Sequence, residues 1–80
     1  MRLPRDISGL RLAQALGALG YETTRQTGSH LRLTTTRNGE HHVTIPRHES
    51  LRVGTLAQIL TDIGAHFALS RDELLAALSL

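Results

Sequence analysis

The strongest constraint on the fold is a pair of alternating segments that flank the dipeptide Asn38–Gly39. Leu31 and Leu33 alternate with polar residues in the first segment, and Val43 and Ile45 do so in the second. Successive side chains of a strand point to opposite faces, so each segment predicts a β-strand with one apolar face. Because an Asn–Gly pair between such segments is typical of a hairpin, we expect two antiparallel strands here.

The length of the hairpin loop decides which residues face each other. A two-residue turn would put the apolar residues of the two strands on opposite faces of the sheet. A three-residue loop, residues 38–40, pairs Arg37 with His41 and puts all the aliphatic residues on one face. We therefore predict the longer loop, with Gly39 in the left-handed region and forming a bulge.

The outward face of this hairpin is predicted to be polar, basic and open to solvent. Its members on the two strands are His30, Arg32, Thr34, His42 and Thr44. If pairing continues past Pro46, His48 falls opposite His30. His41 is expected on the apolar face, half-buried, and no acidic residue is expected on the outward face.

The segments around the hairpin predict a first helix and a further strand. Ser8 can cap a helix that runs through residues 9–19, and Gly20 would end it. Residues 21–26, "YETTRQ", have the β-branched and aromatic content of a short strand.

Two more helices are predicted after the hairpin. Thr55 is expected to cap the first of them and Gly64 to end it, which leaves His66 on the surface of a link. Ser70 and Glu73 form a capping box for the last, short helix. The order α-β-β-β-α with a short extra C-terminal helix predicts an α+β two-layer sandwich. Residues 1–80 are expected to form a single domain.

Composition excludes several classes of protein. The 80 residues include no cysteine, so neither disulfides nor zinc–thiolate sites can form. No apolar run approaches the ~18 residues of a membrane span. Because residues 1–9 lack the apolar core of a secretion signal, a cytoplasmic location is expected.

The basic residues are all arginine and are unevenly distributed. Eight of the nine lie in residues 1–53, together with four of the seven acidic residues. Arginine makes forked hydrogen bonds to phosphate, which predicts an RNA-binding surface. The candidates for phosphate contact are Arg25, Arg32, Arg37 and Arg47, each of which could equally be an ordinary solvated charge. With only Tyr21 and Phe67 as aromatics, recognition by backbone and shape is favoured over base stacking.

Three segments of the sequence together resemble a known protein family. "SGLRLAQALGALGYETTRQTGSHLRL", "VTIPRH" and "GTLAQIL" together resemble the HicA toxins of bacterial toxin–antitoxin modules, over roughly residues 3–64. The resemblance implies a fold similar to that of double-stranded-RNA-binding domains. It also implies a ribosome-independent mRNA endonuclease, neutralised by a HicB-like antitoxin protein.

The family's single essential histidine lies in a "GSH" motif, which the resemblance assigns to His30, with Gly28 before it. The "PRH" segment, ending in His48, also matches, and His48 and Gly28 are accessory candidates. The chain departs from the family pattern in three ways. It has Leu31 and Leu33 where a second histidine or an aromatic often follows, a longer link between its last helices, and no lysine.

The chemistry of His30 supports the same assignment. Histidine both accepts and donates a proton near neutral pH, and RNA cleavage by its own 2′-hydroxyl needs a base and an acid. His30, His42 and His48 could approach one another, but a catalytic zinc site usually needs three converging ligands and a second shell. Since no acidic residue is expected on this face, we predict cleavage without a metal ion or cofactor. An antitoxin is expected to cover His30 and Arg32. Two alternatives remain, a non-catalytic RNA-binding module and a protein-interaction subunit.

Overall fold

A computed structural model describes residues 3–80 of the protein. The elements follow the predicted order, with one helix, three strands and two further helices. They are α1 (Gly9–Leu16), β1 (Glu22–Gln26), β2 (His30–Thr35), β3 (His41–Pro46), α2 (Val53–Phe67) and α3 (Arg71–Ala77). The predicted α+β architecture, α-β-β-β-α with a short extra helix, is therefore confirmed.

The three strands form one antiparallel sheet in the order β1-β2-β3. Helices α1 and α2 contact β2 and β3, whereas all five residues of β1 are exposed. The core lies between the helices and the inner face of β2 and β3, where Leu33 and Ile45 are almost completely buried. Leu56, Leu60 and Ile63 of α2 supply the helical side of this core. The opposite, outer face of the sheet has no helix packed on it within residues 3–80, as expected for an antiparallel sheet with one wet face.

The predicted helix caps hold at two of the three helices. The Ser8 hydroxyl accepts a hydrogen bond from the backbone N–H of Arg11, and Ser70 and Glu73 form the complete capping box at α3. The first helix is shorter than predicted, because its α-helical part ends at Leu16 and residues 17–19 form a 3₁₀ turn closed by a left-handed Gly20. These ends are set by local side-chain chemistry, which explains why the sequence predicted them.

The hairpin register differs from the prediction by two residues. Thr35, not Arg37, pairs with His41, and Leu33 lies opposite Val43. The loop therefore spans residues 36–40. The predicted face assignment is correct because a shift of two residues preserves the alternation of side chains. Gly39 is left-handed as predicted, with φ 97°, and Asn38 also adopts a positive φ of 55°.

Contacts outside the hairpin explain the longer loop. The Thr35 hydroxyl donates to the Leu19 carbonyl at 2.9 Å, and the Arg37 guanidinium donates to the Ala18 carbonyl at 3.0 Å. The Arg37 carbonyl in turn accepts a hydrogen bond from the His66 ring at 2.9 Å. Because these bonds hold Arg37 against the ends of α1 and α2, it cannot continue the ladder as predicted.

The predicted pairing of His48 with His30 is also wrong. His30 lies opposite Pro46, and the last bond of the ladder joins the Arg47 N–H to the Ser29 carbonyl at 2.9 Å. The next residue, His48, instead accepts a hydrogen bond at its carbonyl from the N–H of Gly9 at 2.9 Å. The chain after Pro46 thus turns toward the start of α1.

Helix α2 begins earlier and ends later than predicted. Arg52, rather than Thr55, occupies the N-cap position, without a side-chain hydrogen bond, and a left-handed Ala68 ends the helix. Gly64 is buried inside the helix, where an added Cβ would lie 3.0 Å from the Leu69 carbonyl oxygen. Glycine is needed there for close packing rather than for ending the helix. None of the helices formed by residues 3–80 is long and apolar enough to cross a membrane.

Candidate functional site

His30 opens β2 on the outer face of the sheet, and its side chain is exposed. Thr27 closes the tight turn before it, since its N–H donates to the His30 carbonyl at 2.9 Å and its hydroxyl accepts from the His30 N–H at 3.0 Å. The Ser29 hydroxyl lies 2.9 Å from Nδ1 of the His30 ring. Nε2 makes no hydrogen bond to any residue from 3 to 80, so this nitrogen is available to a ligand.

Arg25 and Arg32 form a cross-strand pair next to His30 on the outer face. They are directly opposite each other on β1 and β2, and both side chains are exposed. A bulge at Thr24 brings Arg25 into this position, since the register shifts between Thr23 and Arg25. Like charges directly opposite each other destabilise a sheet, and across the described chain neither arginine forms an ion pair with a carboxylate. Such a pair is suited to binding a phosphate anion between the two guanidinium groups.

The other candidate residues fall at different places. Arg47 follows β3 directly, is exposed, and donates its backbone N–H to the Ser29 carbonyl. His48, the next residue, is also exposed. Arg37 lies at the far end of the sheet, bound to the end of α1, seven residues along the chain from His30. Gly28 lies two residues before His30, and an added Cβ there would meet no atom within 4 Å, so the fold itself does not require glycine at this position.

The outer face carries a carboxylate that the sequence analysis did not expect there. Glu40 accepts from Nε2 of His42 at 2.8 Å, and Nδ1 of the same ring lies 2.7 Å from the Thr34 hydroxyl. The Thr34 hydroxyl is in turn 3.0 Å from that of Thr24 on β1. Both ring nitrogens of His42 are therefore engaged, which makes this histidine a structural link across the three strands.

A groove of about 500 Å³ runs between the end of the sheet that carries His30 and helix α2. Its lining residues on the sheet are His30, Thr44 and Pro46, and those on α2 are Gly54, Thr55, Gln58, Ile59 and Asp62. The Gln58 side-chain amide donates to a carboxylate oxygen of Asp62 at 3.1 Å. Asp62 is thus a carboxylate that lines the same groove as His30, although it belongs to α2 and not to the outer face of the sheet.

A second group of histidines lies at the opposite end of the sheet, on its inner side. His41 is half-buried as predicted, and its Nδ1 accepts a hydrogen bond from the Tyr21 hydroxyl at 2.7 Å. His66 was predicted on the surface of a link, but it belongs to α2 and stacks on His41, with ring centroids 4.5 Å apart. The edge of Phe67 packs on His66.

These contacts change the acid–base properties of the group. Burial raises the pKa of Tyr21 to about 12, so its hydroxyl stays protonated and serves as the donor to His41. The pKa of His41 is lowered, first by desolvation and then by the nearby His66, with Asp62 opposing this effect and His42 adding slightly to it. His41 is therefore held in its neutral form, as its role as acceptor requires.

Three residues around His30 were not predicted from the sequence, namely Ser29 and the groove residues Gln58 and Asp62. Ser29 adjoins the predicted histidine, and Gln58 and Asp62 lie four residues apart on one face of α2. The spacing of Gln58 and Asp62 was readable as a helical i,i+4 pair. Nothing in the local pattern indicated that this face of the helix turns toward His30. Within residues 3–80, no three side chains of the types that bind metals are grouped so that they could hold an ion.

Fold and surface together define a class of protein, a small α+β domain that presents an exposed histidine beside paired arginines on an open sheet. The family model described as "HicA toxin of bacterial toxin-antitoxin" matches residues 11–65, which is most of the chain. The chain therefore belongs to the HicA toxin family, and its role is that of the toxin in a toxin–antitoxin module. Searches of curated proteins and of solved structures returned no significant match.

Proposed function

We propose that this protein is an endoribonuclease that cleaves mRNA, with His30 as its catalytic residue. The observation that supports this most strongly is the exposed His30 ring, whose Nδ1 contacts Ser29 while Nε2 faces solvent beside the Arg25–Arg32 pair. Membership in the HicA toxin family supports an activity that arrests growth, and destruction of mRNA is one such activity.

The proposed reaction is attack by the RNA's own 2′-hydroxyl on the adjacent phosphorus atom. Nε2 of His30 accepts the 2′-hydroxyl proton as the new O2′–P bond forms. The P–O5′ bond then breaks, and the leaving 5′-oxygen takes a proton, so that the upstream fragment ends in a 2′,3′-cyclic phosphate. The Ser29 contact at Nδ1 orients the ring. In the proposed reaction the Ser29 hydroxyl accepts from Nδ1–H, which leaves Nε2 as the basic nitrogen. His48 is the accessory candidate for the proton donor.

The arginines of the outer face supply the charge that this reaction needs. Arg25 and Arg32 hold a phosphate next to His30 and stabilise the additional negative charge that develops on the phosphoryl oxygens. Arg47, adjacent to Ser29 through the ladder, extends the contact along the RNA backbone. Gly28 leaves open space beside His30 through which a phosphate can approach.

A HicB-like antitoxin is the proposed protein partner, and we expect it to cover His30 and Arg32. An inhibitor with acidic side chains over the arginine pair would occupy the phosphate site and compete with RNA. Competition is measured by titrating antitoxin into a complex of the His30→Ala variant with labelled RNA. A ternary complex in which RNA stays bound would contradict this arrangement.

The decisive experiment compares wild type with His30→Ala, using His42→Ala as the matched variant of an exposed histidine that takes no part in the proposed reaction. His48→Ala tests the candidate proton donor separately. We expect His30→Ala to abolish both growth arrest and cleavage of purified mRNA, with an unchanged melting temperature. RNA binding that persists in a wild type unable to cleave would favour a non-catalytic RNA-binding module instead. Full toxicity of folded His30→Ala would end the catalytic assignment.

The products distinguish this mechanism from hydrolysis by water. Cleavage should persist in EDTA, DNA of the same sequence should remain intact, and mass spectrometry should find a 2′,3′-cyclic phosphate or its opened form. A free 3′-hydroxyl with a 5′-phosphate on the downstream fragment would mean that water attacks, which would exclude the proposed role of the 2′-hydroxyl.

Binding of phosphate by the arginine pair has its own test. Replacing both Arg25 and Arg32 by glutamine should reduce the slope of log affinity against log salt by about 1.4, as expected for two lost phosphate contacts on single-stranded RNA. The double variant of Arg5 and Arg11, which are exposed and outside this surface, is the control for net charge. Equal slopes for the two double variants would contradict a specific phosphate site.

A further inference from the structure

The groove beside His30 contains polar groups that the cleavage mechanism does not use. Gln58 and Asp62 face it from α2, and Ile59 and Pro46 supply apolar surface to its lining. Its volume of about 500 Å³ falls in the range of small-ligand pockets, which are roughly 300–1,000 Å³. Because His30 lines the same groove, whatever occupies it lies next to the scissile bond.

The hydrogen bond within the groove fixes what Gln58 can offer to a ligand. A carboxylate only accepts hydrogen bonds, so the amide nitrogen of Gln58 must be the atom that faces Asp62 at 3.1 Å. The Gln58 carbonyl oxygen and the second carboxylate oxygen of Asp62 are then left as neighbouring acceptors, beside the one remaining N–H of the Gln58 amide. This α2 side of the groove is therefore suited to a ligand with N–H donors.

The charge of Asp62 identifies which part of an RNA would enter. A carboxylate repels phosphate, which the Arg25–Arg32 pair on the outer face binds instead. A nucleobase is uncharged, and carboxylates accept hydrogen bonds from exocyclic amino groups. The apolar surfaces of Ile59 and Pro46 are suited to the faces of a base.

We propose that the groove binds the base adjacent to the cleaved bond, and that Gln58 and Asp62 select a base with an exocyclic amino group. Adenine, cytosine and guanine carry such a group, whereas uracil presents a carbonyl oxygen in its place. A uracil carbonyl directed at the Asp62 carboxylate meets an acceptor and is left without a donor, and this costs binding. This inference rests on the proposed function, because it treats RNA as the substrate of His30.

The test measures base preference at each position around the cut. A randomised RNA pool is cleaved by wild type and the fragment ends are sequenced. At one position next to the cut we expect amino-bearing bases to be preferred over uracil by about tenfold or more. Asp62→Asn, which places an N–H donor in the groove, should shift the preference toward uracil, and Gln58→Ala should reduce it toward unity.

Two controls separate this effect from a general loss of fold or charge. Asp72→Asn removes an exposed carboxylate on α3, and Gln14→Ala removes an exposed glutamine on α1, so both should keep the wild-type preference. Melting temperatures of all four variants are measured alongside. A wild type that cleaves without base preference, or a preference unchanged in both groove variants, would overturn the base subsite and leave the endonuclease proposal intact.

Binding provides a readout that does not require cleavage. Labelled oligo-A, oligo-C and oligo-U are titrated with the His30→Ala variant, and with its combination with Asp62→Asn. Tighter binding of oligo-A and oligo-C than of oligo-U that disappears with Asp62→Asn would support the base subsite. If wild type at the same time cleaves no RNA, only the endonuclease proposal is overturned. If no oligonucleotide binds, both proposals are overturned.

Discussion

His30 and His41 each open a strand of the same hairpin, yet they lie in opposite environments. His30 begins β2 at one end of the sheet, exposed on the outer face, with the adjacent Ser29 at one ring nitrogen. His41 begins β3 at the other end, on the inner side, hydrogen-bonded to Tyr21 and stacked on His66. Residue type is the same, so the difference between the two sites comes from position alone.

The comparison shows why only one of these histidines suits a proton-transfer role. Nδ1 of His41 accepts the hydrogen bond from the Tyr21 hydroxyl, and burial lowers the pKa of the ring so that it stays neutral. The contacts of His41 therefore stabilise the fold. Nε2 of His30 bonds to no group of the described chain, residues 3–80, and the neighbouring Arg25 and Arg32 can hold a phosphate. An exposed ring with a nitrogen open to the substrate is what a general base requires, whereas a half-buried ring that accepts a hydrogen bond from Tyr21 and stacks on His66 fits a structural role.

The largest expected effect separates the two histidines by activity. His30→Ala should lower the rate of RNA cleavage by about 10²–10⁴-fold, the usual contribution of a general acid–base group. His41→Ala should leave the rate per folded molecule within a few-fold of wild type. Single-turnover cleavage, corrected for the folded fraction by circular dichroism, measures both. Equal losses in the two variants would remove the distinction.

The reverse difference is expected in stability. His41→Ala leaves the buried Tyr21 hydroxyl without an acceptor and should lower the free energy of unfolding by about 1–3 kcal/mol. His30→Ala, at an exposed position, should change it by less than about 0.5 kcal/mol. Urea unfolding provides both values. Adding Tyr21→Phe to His41→Ala should recover part of the loss, and no recovery would mean that the bond itself contributes little.

The lowered pKa of His41 predicts that acid destabilises the fold. In the unfolded chain this histidine takes up a proton near pH 6.5, whereas in the folded protein it does so only at lower pH. Since the unfolded state then binds more protons, stability should fall as pH decreases from 7 through 6.5 toward the folded pKa. The groups that face His41 and contribute are His66, Asp62 and His42.

A substitution that keeps the acceptor isolates this effect. His41→Gln can still accept from Tyr21 but has no ring to protonate, so its stability should vary less between pH 7 and pH 5 than that of wild type. His48→Ala, which removes an exposed histidine, should retain the wild-type pH dependence. Parallel curves for wild type and His41→Gln would show that another group controls acid unfolding.

The smallest expected effect concerns the partner of His30. Ser29→Ala removes the hydrogen bond to Nδ1 of His30. Loss of one hydrogen bond, worth about 0.5–1.5 kcal/mol, corresponds to a roughly 2–10-fold lower kcat. KM should stay close to wild type, because Ser29 orients the ring and does not bind the RNA in this scheme. Ser29→Thr retains the hydroxyl and should restore most of the rate. A change confined to KM would assign Ser29 to RNA binding instead.

Part of the site was predictable because it depends on alternation along a strand. The pattern around Leu31 and Leu33 put His30 and Arg32 on the polar face, and the structure agrees. Arg25 was a candidate, but its place directly opposite Arg32 depends on a bulge at Thr24 that the sequence pattern does not reveal. The groove was not predictable at all, since Gln58 and Asp62 reach His30 only through the packing of α2 against the sheet.

Features that depend on neighbours along the chain could be predicted from the sequence. These are the order of elements, the faces of the strands, the Ser8 cap, the Ser70–Glu73 capping box and the left-handed Gly39. Each follows from side-chain periodicity or from a hydrogen bond spanning three residues, so a few adjacent residues are sufficient to specify it.

Features that join distant segments depend on tertiary contacts and could not be predicted from local sequence patterns. The bonds of Thr35 to Leu19 and of Arg37 to Ala18 lengthened the hairpin loop and shifted its register by two residues. Helix α2 continues past Gly64 to Phe67, and the buried Gly64 packs against the Leu69 carbonyl instead of ending the helix. A shift of two residues keeps every side chain on its face, so alternation cannot distinguish the two registers, and contacts between remote parts of the chain make the choice.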